Sequence, residues 1–88
     1  MEKKFWFVYI IENEKGHFYT GMTTDLVRRF KEHSDSKKGA KFFHTGSPKS
    51  IVFKKEFPNR SEAQKFEHQI KSLSRIKKIE LINKSKTT

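Results

Sequence analysis

Cysteine is absent from this chain of 88 residues, and glycine and proline are scarce, at 4 and 2 residues. The lack of cysteine excludes disulfides, thiolate metal sites and cysteine nucleophiles. The longest apolar run, residues 5–11, falls well short of the roughly 20 residues that a membrane-spanning helix needs. It also lacks the length and the small-residue cleavage site of a signal peptide, so we expect a cytoplasmic protein without a membrane partner.

Acidic residues are in the minority, with 10 Asp and Glu against 20 Lys and Arg, which gives a net charge of +10. A polyanion is therefore the expected partner, with nucleic acid first and an anionic membrane surface second. The plainer alternative is that the charge only keeps a small domain in solution. Nine Phe, two Tyr and one Trp supply a compact core for what we interpret as a single domain.

The N-terminal third predicts a β-hairpin. Residues 5–12 are rich in β-branched and aromatic residues on both faces, which favours a central strand. Glu14-Lys15-Gly16 suits a three-residue loop, with Gly16 in the left-handed conformation and residues 17–22 returning as the second strand. That loop pairs Ile11 with Tyr19, so Tyr9 and Tyr19 should lie on one face as diagonal neighbours.

The remaining chain predicts one more strand and about three helices. Thr23 or Thr24 is expected to cap a helix that ends near Ser34, and residues 35–50 read as a loop. Residues 51–57 predict a third strand. Asn59 followed by Glu62 resembles a capping box, and Ser74 is expected to cap a last helix. We place the domain at residues 1–82 and a basic, disordered tail at 83–88.

Several side chains in this arrangement have the chemistry for phosphodiester cleavage. Tyr9 and Tyr19 could simply pack on the sheet, but a phenol beside a cation or an imidazole can act on water. Arg29 and His33 lie four residues apart on one helix side. Arg29 could be an ordinary surface cation or could stabilise charge on phosphate. His33 alone could interact with the helix dipole.

Glu67 is the acidic residue that its spacing places nearest the core, three residues before Ile70 on the second helix's apolar side. A buried carboxylate needs a partner. An ion pair with Arg29 or another basic residue is one possibility. The other is a Mg²⁺ site, since Mg²⁺ uses one or two carboxylates and takes its remaining ligands from water and phosphate.

Lysine and arginine residues further along the chain suit backbone phosphate contacts, which position a nucleic acid without reading its sequence. They are Lys37, Lys38, Lys41, Lys71, Arg75, Lys77 and Lys78.

In order and spacing, these residues make the chain resemble the GIY-YIG endonuclease domain, in its small single-domain bacterial branch named UPF0213. Phe7-Val8-Tyr9 and Tyr19-Thr20-Gly21 match the two signature elements, although Phe7 replaces a glycine and Thr20 an isoleucine or valine. Arg29, His33 and Glu67 fall where the family has its arginine, histidine and metal-binding glutamate.

The resemblance implies an α+β fold, with a small three-stranded antiparallel sheet flanked by about three helices. It implies an endonuclease that hydrolyses DNA with Mg²⁺, or another divalent cation such as Mn²⁺, bound at Glu67. Arg29 would neutralise the phosphate, and one of Tyr9 and Tyr19, helped by His33, would act on the attacking water. Structure-selective cleavage in repair or recombination is expected, with a protein partner for targeting, and RNA stays open as a substrate. The alternative is a catalytically silent nucleic-acid-binding module on the same fold.

Overall fold

The sheet has the order β2-β1-β3, with both neighbouring pairs antiparallel. The computed structural model describes residues 5–35, 39–44 and 46–86. Over these ranges the strands are β1 (Trp6–Asn13), β2 (Phe18–Thr23) and β3 (Pro48–Phe57), and the helices are α1 (Leu26–Ser34), α2 (Arg60–Lys71) and α3 (Arg75–Lys86). A short 3₁₀ helix spans Lys41–His44. The expected α+β fold and the central place of β1 are confirmed.

The hairpin has the predicted register. Ile11 pairs with Tyr19, and Tyr9 pairs with Gly21. Gly16 has a φ of 82°, the left-handed conformation that a three-residue loop requires at that position. Asn13, which is 2% exposed, fixes the turn because its side-chain oxygen accepts from the backbone N–H groups of Lys15 and His17.

Each face of the sheet carries its own apolar cluster. On one face, Val8 and Ile10 pack with Ala63 and Ile70 of α2. On the other face, Tyr9 and Ile11 pack with side chains of α1 and of the 3₁₀ helix. Because residues alternate along β1, this single strand supplies the centre of both clusters. The second face is the one that holds both tyrosines.

The helices begin at capping residues, one of which differs from the prediction. Neither Thr23 nor Thr24 caps α1; the N-cap is Asp25, whose side chain accepts from the N–H of Arg28 at 3.0 Å. The hydroxyl of Thr23 accepts the N–H of Asp25 instead, which holds the chain in position for the cap. Asn59 caps α2 through the N–H of Glu62, as predicted.

Three segments are more ordered than the sequence indicated. The third strand starts at Pro48 rather than residue 51, since irregularities in its pairing with β1 accommodate the extra residues. The expected loop contains the 3₁₀ helix. Helix α3 starts after Ser74, as expected, and continues to Lys86 with Ile82 buried, so residues 83–86 are helical rather than disordered.

Within the described ranges, none of the helices has the length and apolar character that crossing a lipid bilayer would require.

Candidate active site

The two tyrosines lie side by side on the face of the sheet that α1 covers. Their ring centroids are 6.3 Å apart. Tyr9 is 1% exposed and its ring crosses over Gly21, its partner on β2. A Cβ at Gly21 would collide with the Tyr9 hydroxyl and stand 2.6 Å from the ring carbon that carries it. Glycine is therefore required at this position by the close approach of the phenol.

His33, near the end of α1, is buried and bonded through both ring nitrogens. The backbone N–H of Ala40 donates to Nδ1 at 3.2 Å, so Nδ1 carries a lone pair. In a neutral imidazole the proton then lies on Nε2, which is 2.8 Å from the Tyr9 hydroxyl oxygen. His33 therefore donates to Tyr9 through Nε2, and the lone pair of its unprotonated Nδ1 is already used to accept from Ala40, so the ring is not placed to act as a base.

Burial governs the protonation of this pair. It lowers the pKa of His33 to about 4, with help from the positive charge of Arg29 and against the smaller opposing effect of Glu32. Burial also raises the pKa of Tyr9 to about 12; the neighbouring Tyr19 adds to this, while a hydrogen bond and the charge of Arg29 oppose it. At neutral pH both groups are therefore uncharged.

Arg29 reaches the same hydroxyl from α1. Its guanidinium makes a side-chain hydrogen bond to Tyr9, and its Nη1 donates to Oε1 of Glu32 at 2.9 Å. Glu32 also lies 3.9 Å from the Nε of Arg28. The sequence analysis missed Glu32, although its position three residues after Arg29 on a helix was a usable signal. The carboxylate fixes the guanidinium while 30% of the arginine side chain stays exposed.

Tyr19 differs from Tyr9 because it is only partly buried. Its ring packs edge-on against His33 and against Phe43, each at a centroid distance of 5.2 Å. Phe42 lies 5.5 Å away. The 3₁₀ helix thus supplies an aromatic wall to the site that nothing in the sequence pattern indicated.

Glu67 lies on α2, the helix that packs against the other face of the sheet. Its side chain is 16% exposed, and Oε2 forms an ion pair with Lys71 at 3.7 Å, one helical turn later. Its negative charge contributes to the raised pKa of Tyr9, as the smallest of the named influences. The ion-pair alternative thus holds in part: the partner is Lys71 rather than Arg29, and the pair is open to solvent on the lysine side.

The basic residues predicted to contact phosphates differ in their surroundings. Lys41 is exposed on the 3₁₀ helix, near the aromatic wall. Lys71 is committed in part to Glu67. Arg75 donates to the carbonyl of Gly16 and lies 5.0 Å above the ring of Phe18, so it also fastens α3 to the hairpin. Lys37 and Lys38 lie outside the described residues.

No group of three or more His, Cys, Asp or Glu residues is close enough to hold a metal ion within 5–35, 39–44 and 46–86. A protein-only metal cage is therefore absent from that part of the chain. A single, mostly buried carboxylate with one solvent-facing side fits a different kind of site. Mg²⁺ often binds one protein carboxylate and completes its shell with water and substrate phosphate. Glu67 suits that role by its chemistry and burial.

Comparison with known proteins identifies the class. The family model described as GIY-YIG catalytic domain matches residues 5–80. The chain belongs to the GIY-YIG family, a family of nuclease type, and the resemblance seen in the sequence is confirmed.

Its relatives are UPF0213 proteins. One from Desulfotalea psychrophila is 42% identical over 80 residues, which cover 91% of this chain and 73% of the relative. One from Halalkalibacterium halodurans is 44% identical over 77 residues, covering 88% and 81%. The solution NMR structure of a UPF0213 protein from Bacillus halodurans matches with a TM-score of 0.58 at 43% identity, covering 90% of this chain and 83% of that one.

Proposed function

We propose that this protein is a metal-dependent endonuclease that hydrolyses phosphodiester bonds in DNA. The observation that carries the proposal is that His33 and Arg29 both approach the hydroxyl of Tyr9. The ring of Tyr19 lies beside that of Tyr9. A guanidinium held in place beside two phenols complements the negative charge of a pentacovalent phosphate. These side chains would act on the phosphate, so the cleavage chemistry does not depend on contacts to particular bases.

The two tyrosines take different roles. Tyr9 is buried and its hydroxyl oxygen accepts from His33, which supports a role as a positioning residue. Tyr19 is partly exposed and aligns the attacking water. The oxygen of that water bonds to phosphorus while the bond from phosphorus to the 3′ oxygen breaks. One proton of the water ends on the leaving 3′ oxygen, which gives a 3′-hydroxyl, and the other stays on the new 5′-phosphate or passes to solvent.

Arg29, whose guanidinium is held by Glu32 while its side chain stays partly exposed, binds the phosphate and stabilises the charge that grows there during attack. Glu67 would hold the divalent cation, Mg²⁺ or Mn²⁺, which when bound would supply a Lewis acid for the charge on the phosphate and on the leaving oxygen. His33 keeps the Tyr9 hydroxyl in one orientation rather than moving a proton itself.

The net charge of +10 and the exposed Lys41 support binding through backbone phosphates. Because such contacts carry no sequence information, we expect the DNA's shape to select the cleavage site. Nicked, flapped or branched DNA is the expected substrate class, in repair or recombination in the cytoplasm, and a protein partner would direct the enzyme to it. RNA should be tested as a substrate alongside these DNAs.

The decisive experiment incubates the protein with labelled linear, nicked, flapped and branched DNA, and with RNA, with and without Mg²⁺ or Mn²⁺. Cleavage that requires the cation and favours irregular DNA is the expected result. Tyr19→Phe and Arg29→Ala should each lower the rate, the latter at least about 100-fold. Tight binding without cleavage of any substrate under any condition would identify a silent binding module instead.

Glu67→Gln separates metal binding from structure. It should abolish cleavage and leave the melting temperature equal or higher, since a partly exposed ion pair contributes little stability. Glu80→Gln is the matched control because Glu80 pairs with Lys77 on α3 at 3.6 Å, well exposed. A drop of several degrees for Glu67→Gln with unchanged cleavage would assign the carboxylate a structural role only.

A further inference from the structure

One corner of the molecule, outside the hydroxyl–arginine site, combines aromatic rings with cations. We define the aromatic corner as Trp6, Phe57, Phe66, Lys55 and Arg60. Trp6 opens β1 and pairs with Phe57 at the end of β3. The rings of Phe57 and Phe66 have centroids 5.1 Å apart. All three rings are partly exposed and border the apolar cluster that α2 covers.

Two exposed cations lie over these rings. The guanidinium of Arg60 is 5.8 Å from the centroid of Trp6. The ammonium of Lys55 is 5.6 Å from Phe57 and 5.0 Å from Phe66. If these side chains only covered apolar surface with their methylene stems, their charged ends would extend into water. Here the charged ends themselves lie above ring faces, where cation–π attraction holds them.

We propose that the aromatic corner binds unpaired nucleotides of a single strand by stacking and by phosphate contact. Half-exposed aromatic rings and the plane of an arginine are the two kinds of platform on which unpaired bases stack in proteins. The cations Lys55 and Arg60 provide the positive charge that follows the strand's phosphates. A fully paired duplex fits poorly, because the faces of its bases are already stacked on each other.

The corner lies on the face of the sheet opposite Tyr9, which comes three residues after Trp6 on β1. It is nevertheless linked to the candidate metal ligand, since Phe66 directly precedes Glu67 on α2. The inference therefore deepens the proposed function: the nuclease would recognise irregular DNA by an unpaired segment held at this corner. The inference rests on the proposed nuclease function only for the use that the cell makes of the corner. Binding of a single strand can be measured without cleavage.

The chain offers a direct probe, because Trp6 is its only tryptophan. The full chain is titrated with an unlabelled thymidine oligonucleotide in EDTA, and Trp6 fluorescence is recorded. Anisotropy of a labelled copy of the oligonucleotide measures binding independently. We expect a saturable quench of Trp6 that follows the anisotropy curve, and little quench with a blunt duplex. Saturated binding without a quench, or no binding of the oligonucleotide, would overturn the proposal.

Arg60→Ala tests the corner without removing a ring, and Lys65→Ala is its control. Both residues are exposed on α2, and both substitutions remove one positive charge. Arg60→Ala should weaken single-strand binding at least about 5-fold, the scale of one lost stacking contact. Lys65→Ala should change it less than about 2-fold, because it removes one charge that does not lie over a ring of the corner. Equal losses for the two variants would refute a stacking site.

Failure of this proposal and failure of the proposed nuclease have different signatures. Cleavage with an unquenched Trp6 would leave the nuclease intact and remove the aromatic corner from substrate binding. A quench without cleavage in any divalent cation would keep the corner and favour a silent binding module.

Discussion

The buried imidazole of His33 makes a quantitative pH prediction. Its pKa is lowered from 6.5 to about 4 in the folded protein because burial penalises the charged ring. In the unfolded chain the ring binds a proton below about pH 6.5. Between these two values unfolding takes up a proton, so stability is full above pH 6.5 and falls as the pH is lowered. From pH 8 to pH 5 this single group should reduce the free energy of unfolding by about 2 kcal/mol.

The substitution His33→Gln isolates this contribution from that of the carboxylates. A glutamine amide can donate to the Tyr9 hydroxyl and accept from Ala40, but it does not titrate. Urea unfolding of both proteins at pH 8 and pH 5 should show a loss smaller by about 2 kcal/mol in the variant.

Proton NMR of the imidazole resonances gives the direct check, because one of the four histidines should titrate near pH 4. Parallel pH dependence in the two proteins, or the absence of any histidine that titrates near pH 4, would refute the burial of a neutral imidazole at His33.

Three further substitutions test neighbouring positions. Gly21→Ala should displace the Tyr9 ring and lower the free energy of unfolding by about 1–3 kcal/mol, as overpacking does. The rate of cleavage should fall as well. Full activity and full stability would contradict the close approach of Tyr9 to Gly21. Thr20→Val should raise the melting temperature, because the buried hydroxyl of Thr20 has no hydrogen-bond partner among the described residues and such a group costs about 1–3 kcal/mol; a lower melting temperature would show that the hydroxyl is satisfied. Glu32→Ala should lower kcat about 10-fold with little change in KM, as expected for loss of the group that orients the Arg29 guanidinium. Glu32→Gln should restore part of the lost kcat. Glu80→Ala, which breaks an exposed helical ion pair, is the control, and an equal effect of that variant would show that only charge matters.

The sequence predicted what local rules determine. The three-residue loop around Gly16 determined the hairpin register, and that register brought Tyr9 and Tyr19 to one face. Apolar residues on both faces of β1 correctly indicated a central strand. The capping pattern of Asn59 located the start of α2.

The sequence did not reveal contacts that depend on distant backbone. The bond from the Ala40 N–H to His33 joins residues seven apart through a turn with no strong motif, and it decides which nitrogen carries the proton. The extension of α3 depends on the burial of Ile82 against the sheet, where the helix's own pattern is weak. The partner of Glu67 was left open between Arg29 and any other basic residue, because the charge rule does not distinguish them, and only the fold selects Lys71.

The ring of Tyr9 fills the space that Gly21 leaves, and His33 closes that space from α1. Three residues of the family pattern are thus joined by packing, whatever reaction takes place beside them. A descendant that had lost cleavage would still need this tyrosine, this glycine and this histidine in order to fold. Ancestry can therefore be traced through these three buried residues, whereas the catalysis that we propose should be judged from Tyr19, Arg29 and Glu67.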